Sequence, residues 1–232
     1  MNRVASHWLG KAVLASVAAM SASAADSSLQ GTFARMDRAA AGFTGISANF
    51  RKVAHTAVLN EDSTDTGIFL LKRPKAHEVL VLWDIKEPDA EKVAIDTRKV
   101  EIYHPVANVV QEYRLGEYKS MVDQFLLLGF GSTSEDLQSG YAISAGGAET
   151  VGTDKTMRLE LIPKSPEILK YFKKIELWIS DATGVPVQQK LTEPSGDTHV
   201  ATYSNIMINP NLPDSAVKLN LPKGVKREYP QK

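Results

Sequence analysis

The chain of 232 residues carries 27 Lys/Arg against 27 Asp/Glu and contains no cysteine. Balanced charge argues against a nucleic-acid partner, which needs a concentrated basic face. Without thiols there are no disulfides, thiolate metal sites or thiol redox chemistry, and a chain this long can bury a sufficient core without cross-links.

The first segment has basic Arg3 and Lys11, an apolar run from Ala12 to Met20, and the small-residue triplet Ala22-Ser23-Ala24. This layout predicts a cleaved signal peptide over residues 1–24, because the apolar run is too short to span a bilayer. Residues 25–232 are then expected to form one exported domain. With no cysteine after the signal to accept an acyl anchor, that product is expected to diffuse freely in the periplasm as a monomer.

Next, "SLQGTFARMDRAAAGFTG" sets Leu29, Phe33, Met36, Ala40 and Phe43 near one stripe at helical spacing. Ser27 or Ser28 can cap the helix, and Gly42 or Gly45 can end it. The chain then turns to β. "ISANFRKVAHTA" and "TGIFLLKRP" read as a hairpin across the loop "LNEDSTD", and "AHEVLVLWDIKEP", "KVAID", "KVEIYHP" and "NVVQEYRL" follow. In "GIFLLKRP", period two places Arg73 on the face of Phe69 and Leu71. Either that face is wet at its end, or a guanidinium points into an apolar interior.

"YKSMVDQFLLLGFG" predicts a second amphipathic helix, and "STSEDLQSG" a further turn capped by Ser132 or Ser134. Strands return in "YAISAG", "TMRLELIPK", "KKIELWISD", "VPVQQKLTE" and "HVATYSNIMI", with "DATGVP" as a turn and a helical turn expected within "PKSPEILKYF". "KYFKK" (Lys170, Lys173, Lys174) reads as a solvated strand start. About eleven strands with few helices predict a mainly β, α+β fold: one antiparallel sheet that curls into an incomplete barrel under a helical lid.

Catalytic signals are missing. His55, His77, His104 and His199 stand isolated in the sequence, so no metal site is expected. "GFGSTSED" lacks the pattern of a dinucleotide or phosphate loop, there is no Gly-x-Ser-x-Gly elbow, and Glu87/Asp89 fall in a polar loop. No cofactor and no enzymatic activity are expected.

The order "GIFLLKRP", "LWDIKEP", "KVAIDTRKVEIYHP", a Phe/Leu-rich mid-chain helix and closing "VKLNLPKGVK" resembles the periplasmic outer-membrane lipoprotein carriers, the LolA-type chaperones. The resemblance implies a hydrophobic cavity, between barrel and lid, that shelters lipoprotein acyl chains. Cargo would arrive from an inner-membrane ABC lipoprotein-release complex and leave to an outer-membrane receptor. It further implies that Arg73 bonds to lid-helix carbonyls in the closed form, as a latch. The expected lining is Phe33, Met36, Phe50, Phe69, Leu71, Val79, Val81, Trp83, Met121, Phe125 and Leu126. Two alternatives stay open: a carrier of the same fold for a phospholipid or polyisoprenoid, or an envelope-stress sensing interaction module.

Overall fold

The computed structural model describes residues 28–75, 78–116 and 128–230. The expected signal peptide, Ser27, His77 and the expected lining residues Met121, Phe125 and Leu126 lie outside the described residues.

The first helix, α1 (28–40), presents Phe33 and Met36 to the interior and ends in a turn where the Phe43 amide donates to the Ala40 carbonyl at 3.2 Å. Six strands follow as a meander: β1 (Gly45–Thr56), β2 (Glu61–Lys75), β3 (Glu78–Glu87), β4 (Glu91–Ile95), β5 (Lys99–His104) and β6 (Val109–Arg114). After α2 (Ser134–Gly140) come β7 (Tyr141–Val151), β8 (Asp154–Pro163), the short α3 (Pro166–Leu169), β9 (Lys174–Ser180), β10 (Pro186–Thr192) and β11 (Thr198–Ile208). A 3-10 turn (Asp214–Val217) and β12 (Lys226–Glu228) close the chain.

All these strands join one 12-stranded sheet in the order β12-β6-β5-β4-β3-β2-β1-β11-β10-β9-β8-β7. Pairing is antiparallel except for β12, which lies parallel to β6. The two ends, β12 and β7, do not pair, so the barrel is incomplete, as expected. One strand more than expected arises because the C-terminal tail forms β12. Arg227 of β12 bridges Glu101 at 2.9 Å and Glu112 at 3.2 Å on the outer face, which ties the tail to the sheet and covers the β6 edge.

Some local expectations need correction. The β1–β2 loop is only residues 57–60, because Asn60 takes a positive φ of 53° and closes a tight turn. The cap of α2 is Thr133, not Ser132 or Ser134. Its hydroxyl accepts from the Asp136 amide at 3.1 Å while the Asp136 carboxylate accepts from the Thr133 amide at 3.0 Å, a reciprocal capping box. Residues 128–131, expected within the mid-chain helix, form a turn, since Gly129 and Gly131 adopt φ of 87° and 69°.

The inner face of the sheet carries two hydrophobic clusters. One, on β8 and β9, gathers Leu159, Leu161, Ile175, Leu177 and Ile179 with Phe33 and Met36 of α1. The other, on β1 to β3 and β11, gathers Ile46, Phe50, Phe69, Leu71, Val79, Val81 and Tyr203, with Ala39 of α1 against it. One helix therefore covers both halves. The outer face is not wholly polar either: Leu82, Ala94 and Val217 are buried where the 3-10 turn packs on β2 and β3.

Tyr141 sits in the first cluster, and its buried hydroxyl has no hydrogen-bond partner among the described residues. Burial pushes its pKa up to about 12 from 10.0. The unfolded chain thus loses this proton first, and stability falls as pH rises from about 10 through 12. Urea unfolding should show Tyr141→Phe as stable as wild type at pH 7 and less weakened than wild type at about pH 11.5. Equal losses for the two proteins at high pH would contradict the assignment.

Candidate functional site

Strand register assembles an aromatic floor on the concave face. Phe69 pairs across with Trp83 on one side and Ala48 on the other, and Phe50 lies opposite Tyr203. Period two therefore brings these rings to one surface. Phe50 meets Trp83 edge-on with centroids 4.6 Å apart, Phe69 lies 4.6 Å from Trp83, and Tyr203 lies 5.6 Å from Phe69. Towards the β6 edge the same face continues through Val93, Ile95, Val100, Ile102 and Tyr113 in register. These are half-buried rather than sealed, as is Trp83.

The expected lining residues fall into two groups. Phe50, Phe69, Leu71, Val79, Val81 and Trp83 share the aromatic cluster, whereas Phe33 and Met36 belong to the neighbouring one. Sequence reading missed Tyr203, Phe130 and Ile46, all part of the floor or its cover. The parity of β11 offered Tyr203, but a bulge near Asn205 (φ 51°) changes which later residues face inward.

Over the floor lies the turn Leu128–Ser132, buried along its whole length. The Phe130 ring is 5.2 Å from Tyr203, edge to face, and 5.6 Å from Phe69. A buried turn carries carbonyls that must be satisfied. The Arg73 guanidinium donates to the Gly131 carbonyl at 2.9 Å, and the Gln189 amide to that of Leu128 at 2.7 Å. The Gln189 oxygen in turn accepts from the Tyr203 hydroxyl at 3.0 Å. Complete burial of Tyr203 raises its pKa, so it stays a neutral donor. Arg73 therefore points inward from the end of β2, while its own amide donates to the Thr44 carbonyl at 2.8 Å. Asp37 of α1 accepts from the Ser134 amide at 2.6 Å and its hydroxyl at 2.9 Å, joining α1 to α2 beside this turn.

Charge lies elsewhere. A groove of about 580 Å³ opens on the outer face between β3–β5 and the C-terminal segment, but Lys75, Glu78, Arg98, Lys99, Glu101 and Lys218 line it. Apolar chains gain nothing against such walls. The histidines are less isolated than their spacing suggests: His55 meets Asp62 at 2.7 Å, His104 meets Glu91 at 3.2 Å and His199 meets Glu193 at 2.7 Å. Each is a single cross-turn or cross-strand pair, and the described residues contain no group of three or more His, Asp or Glu placed to hold a metal.

Residues 41–220 match the family model described as outer membrane lipoprotein carrier protein LolA. The chain is similar to the outer-membrane lipoprotein carrier protein of Ralstonia nicotianae, with 26% identity over 74% of this chain and 72% of the relative. A counterpart in Cupriavidus pinatubonensis is also 26% identical, covering 72% and 71%. Among solved structures, an uncharacterized conserved protein from Thermus thermophilus superposes with a TM-score of 0.52 at 14% identity, over 87% of this chain and 99% of that one.

The geometry of the turn makes Gly131 demanding. Its φ of 69° favours glycine, and an added Cβ would collide with the ring of Phe43. A left-handed residue with a Cβ costs about 1–2 kcal/mol before any collision. Gly131→Ala should lower the unfolding free energy by about 2 kcal/mol or more in urea titration. A variant as stable as wild type would show that the turn is not held in this conformation.

Proposed function

The chain belongs to the LolA family of outer membrane lipoprotein carrier proteins, and from that premise we propose that its concave face shelters lipoprotein acyl chains during passage across the periplasm. The observation that carries this reading is the aromatic floor of Phe50, Phe69, Trp83 and Tyr203, continued by half-buried Val93, Ile95, Val100 and Ile102 towards the open edge. A sheet that needed only a core would seal Trp83 and this continuation as it seals Phe50, Phe69 and Tyr203. An acyl chain laid along them is spared roughly 0.8 kcal/mol of exposure to water per buried methylene, which offsets what the anchor loses on leaving a membrane.

Carriage requires no bond chemistry, and binding and release are the whole task. Cargo would come from an inner-membrane release complex and pass to an outer-membrane receptor; the relatives named outer-membrane lipoprotein carrier protein support the carrier role. Phe33, Met36, Phe50, Phe69, Leu71, Val79, Val81 and Trp83 would contact lipid or back the residues that do. Met121, Phe125 and Leu126 would complete the lining from the mid-chain segment.

In this reading Arg73 is the latch. Its bond to the Gly131 carbonyl exists only while the turn is inserted, so closure competes with cargo and keeps affinity modest. Native mass spectrometry of exported protein, purified without detergent, tests the function. An adduct with the mass of an acylated lipid or lipopeptide supports a carrier. A phospholipid or polyisoprenoid mass would assign a different cargo, and a stoichiometric protein complex without lipid would point to an interaction module.

The latch has its own outcome. Arg73→Leu removes a charge-assisted bond worth roughly 1.5–3 kcal/mol, while leucine still covers the strand face. Apparent affinity for a diacyl lipopeptide should tighten about ten- to a hundredfold, with delivery to acceptor membranes slowed. Arg73→Lys should fall between, since an ammonium keeps the charge and loses the planar fork. Equal affinity and equal release in wild type and Arg73→Leu would show that Arg73 sits at a strand end without controlling closure.

A further inference from the structure

We infer that Phe130 is a resident occupant of the lipid site, held there by Gln189, and that a bound chain must displace it, so that this ring sets the shortest chain the protein retains. The inference rests on the reading of the concave face as a lipid site. It starts from a contrast in how neighbouring groups are held. The floor residues Phe50, Phe69, Trp83 and Tyr203 stand on strands locked into backbone ladders. Phe130 is as buried as any of them, at 1% exposure, yet lies in a turn that belongs to neither helix nor sheet.

Its ring rests on the most aromatic part of the floor, against Phe69 and Tyr203. The residue is flanked by Gly129 and Gly131, both at positive φ, which supply rotation points on either side at low steric cost. The carbonyls bounding it are held from opposite walls: Gly131 by Arg73 of β2, Leu128 by Gln189 of β10. Tyr203 makes the second hold specific. Because its hydroxyl donates to the Gln189 oxygen, the amide nitrogen must face the Leu128 carbonyl. A turn fastened by side-chain bonds rather than by a backbone ladder can leave the floor without breaking the sheet.

The consequence is a threshold. A ligand reaches the floor over Phe69 and Tyr203 only by replacing the ring, whose burial is equivalent to that of about three methylenes. Chains much longer than this bind with a surplus, and chains near it do not. The displacement cost is the same for every ligand, so removing the ring should tighten short and long chains by a common factor.

The test compares hexadecanoic and octanoic acid binding to the full chain, by displacement of an apolar fluorescent dye. Phe130→Ala should tighten both by roughly ten- to a hundredfold, bringing octanoic acid to measurable affinity. Gln189→Leu, which keeps the ring and frees the Leu128 carbonyl, should tighten both several-fold and guards against a folding defect in the first variant. Hydrogen exchange of wild type with hexadecanoic acid should become faster in peptides covering 128–132 and slower in β1 and β2. Unchanged long-chain affinity in both variants, or greater protection of 128–132 on binding, overturns the displaced-ring inference while leaving a saturable lipid site intact. Absence of binding by wild type and both variants would remove the site itself, and this inference with it.

Discussion

A peptide segment cannot enter an apolar interior without bringing its carbonyls along, and this constraint organises the concave face. The turn Leu128–Ser132 inserts between rings, so its carbonyls at 128 and 131 must find donors where water is excluded. Arg73 and Gln189 provide them from strands on opposite sides of the floor. An inward arginine beside Phe69 and Leu71 would otherwise be a costly choice. Arg73 and Gln189 each have a partner in the turn that they would lose if it left, while Gln189 would keep the Tyr203 hydroxyl.

The remainder of the fold is tied together by contacts that do not depend on this turn. Helix α1 spans both inner clusters, and Asp37 fixes it to the start of α2. Two ion-pair networks lie on the outer face. Arg227 and Lys99 share Glu101 and Glu112 where β12 covers an edge, and Arg158 and Lys174 surround the buried Glu176 on β9. With Arg73 occupied by the Gly131 carbonyl, a lipid chain on the floor would be held by apolar area, and modest apolar affinity would let a carrier release it.

Much of this is legible in the sequence because alternation is a local property. "GIFLLKRP" places Phe69, Leu71 and Arg73 on one face, and "HEVLVLW" does the same for Val79, Val81 and Trp83. Partners distant in sequence are not legible. The histidines look solitary since Asp62, Glu91 and Glu193 reach them only across turns and strands. "VPVQQK" sets two glutamines on opposite faces, and nothing local shows that Gln189 is the one with a buried carbonyl to hold. "GFG" reads as the end of the mid-chain helix, whereas its glycines serve to turn Phe130 inward. Thr133 is hard to single out because three adjacent hydroxyl residues compete for one cap.

In the proposed function, acyl chains lie on the aromatic floor. A lipopeptide carrying a diazirine in its acyl chain, irradiated in complex with the protein and mapped by peptide mass spectrometry, tests it most directly. Adducts should fall on strand peptides holding Phe50, Phe69, Trp83 and Tyr203 and be suppressed by excess unlabelled lipopeptide. Adducts confined to Val58, Leu59, Val106 and Met207, which are exposed apolar residues outside the floor, would contradict it.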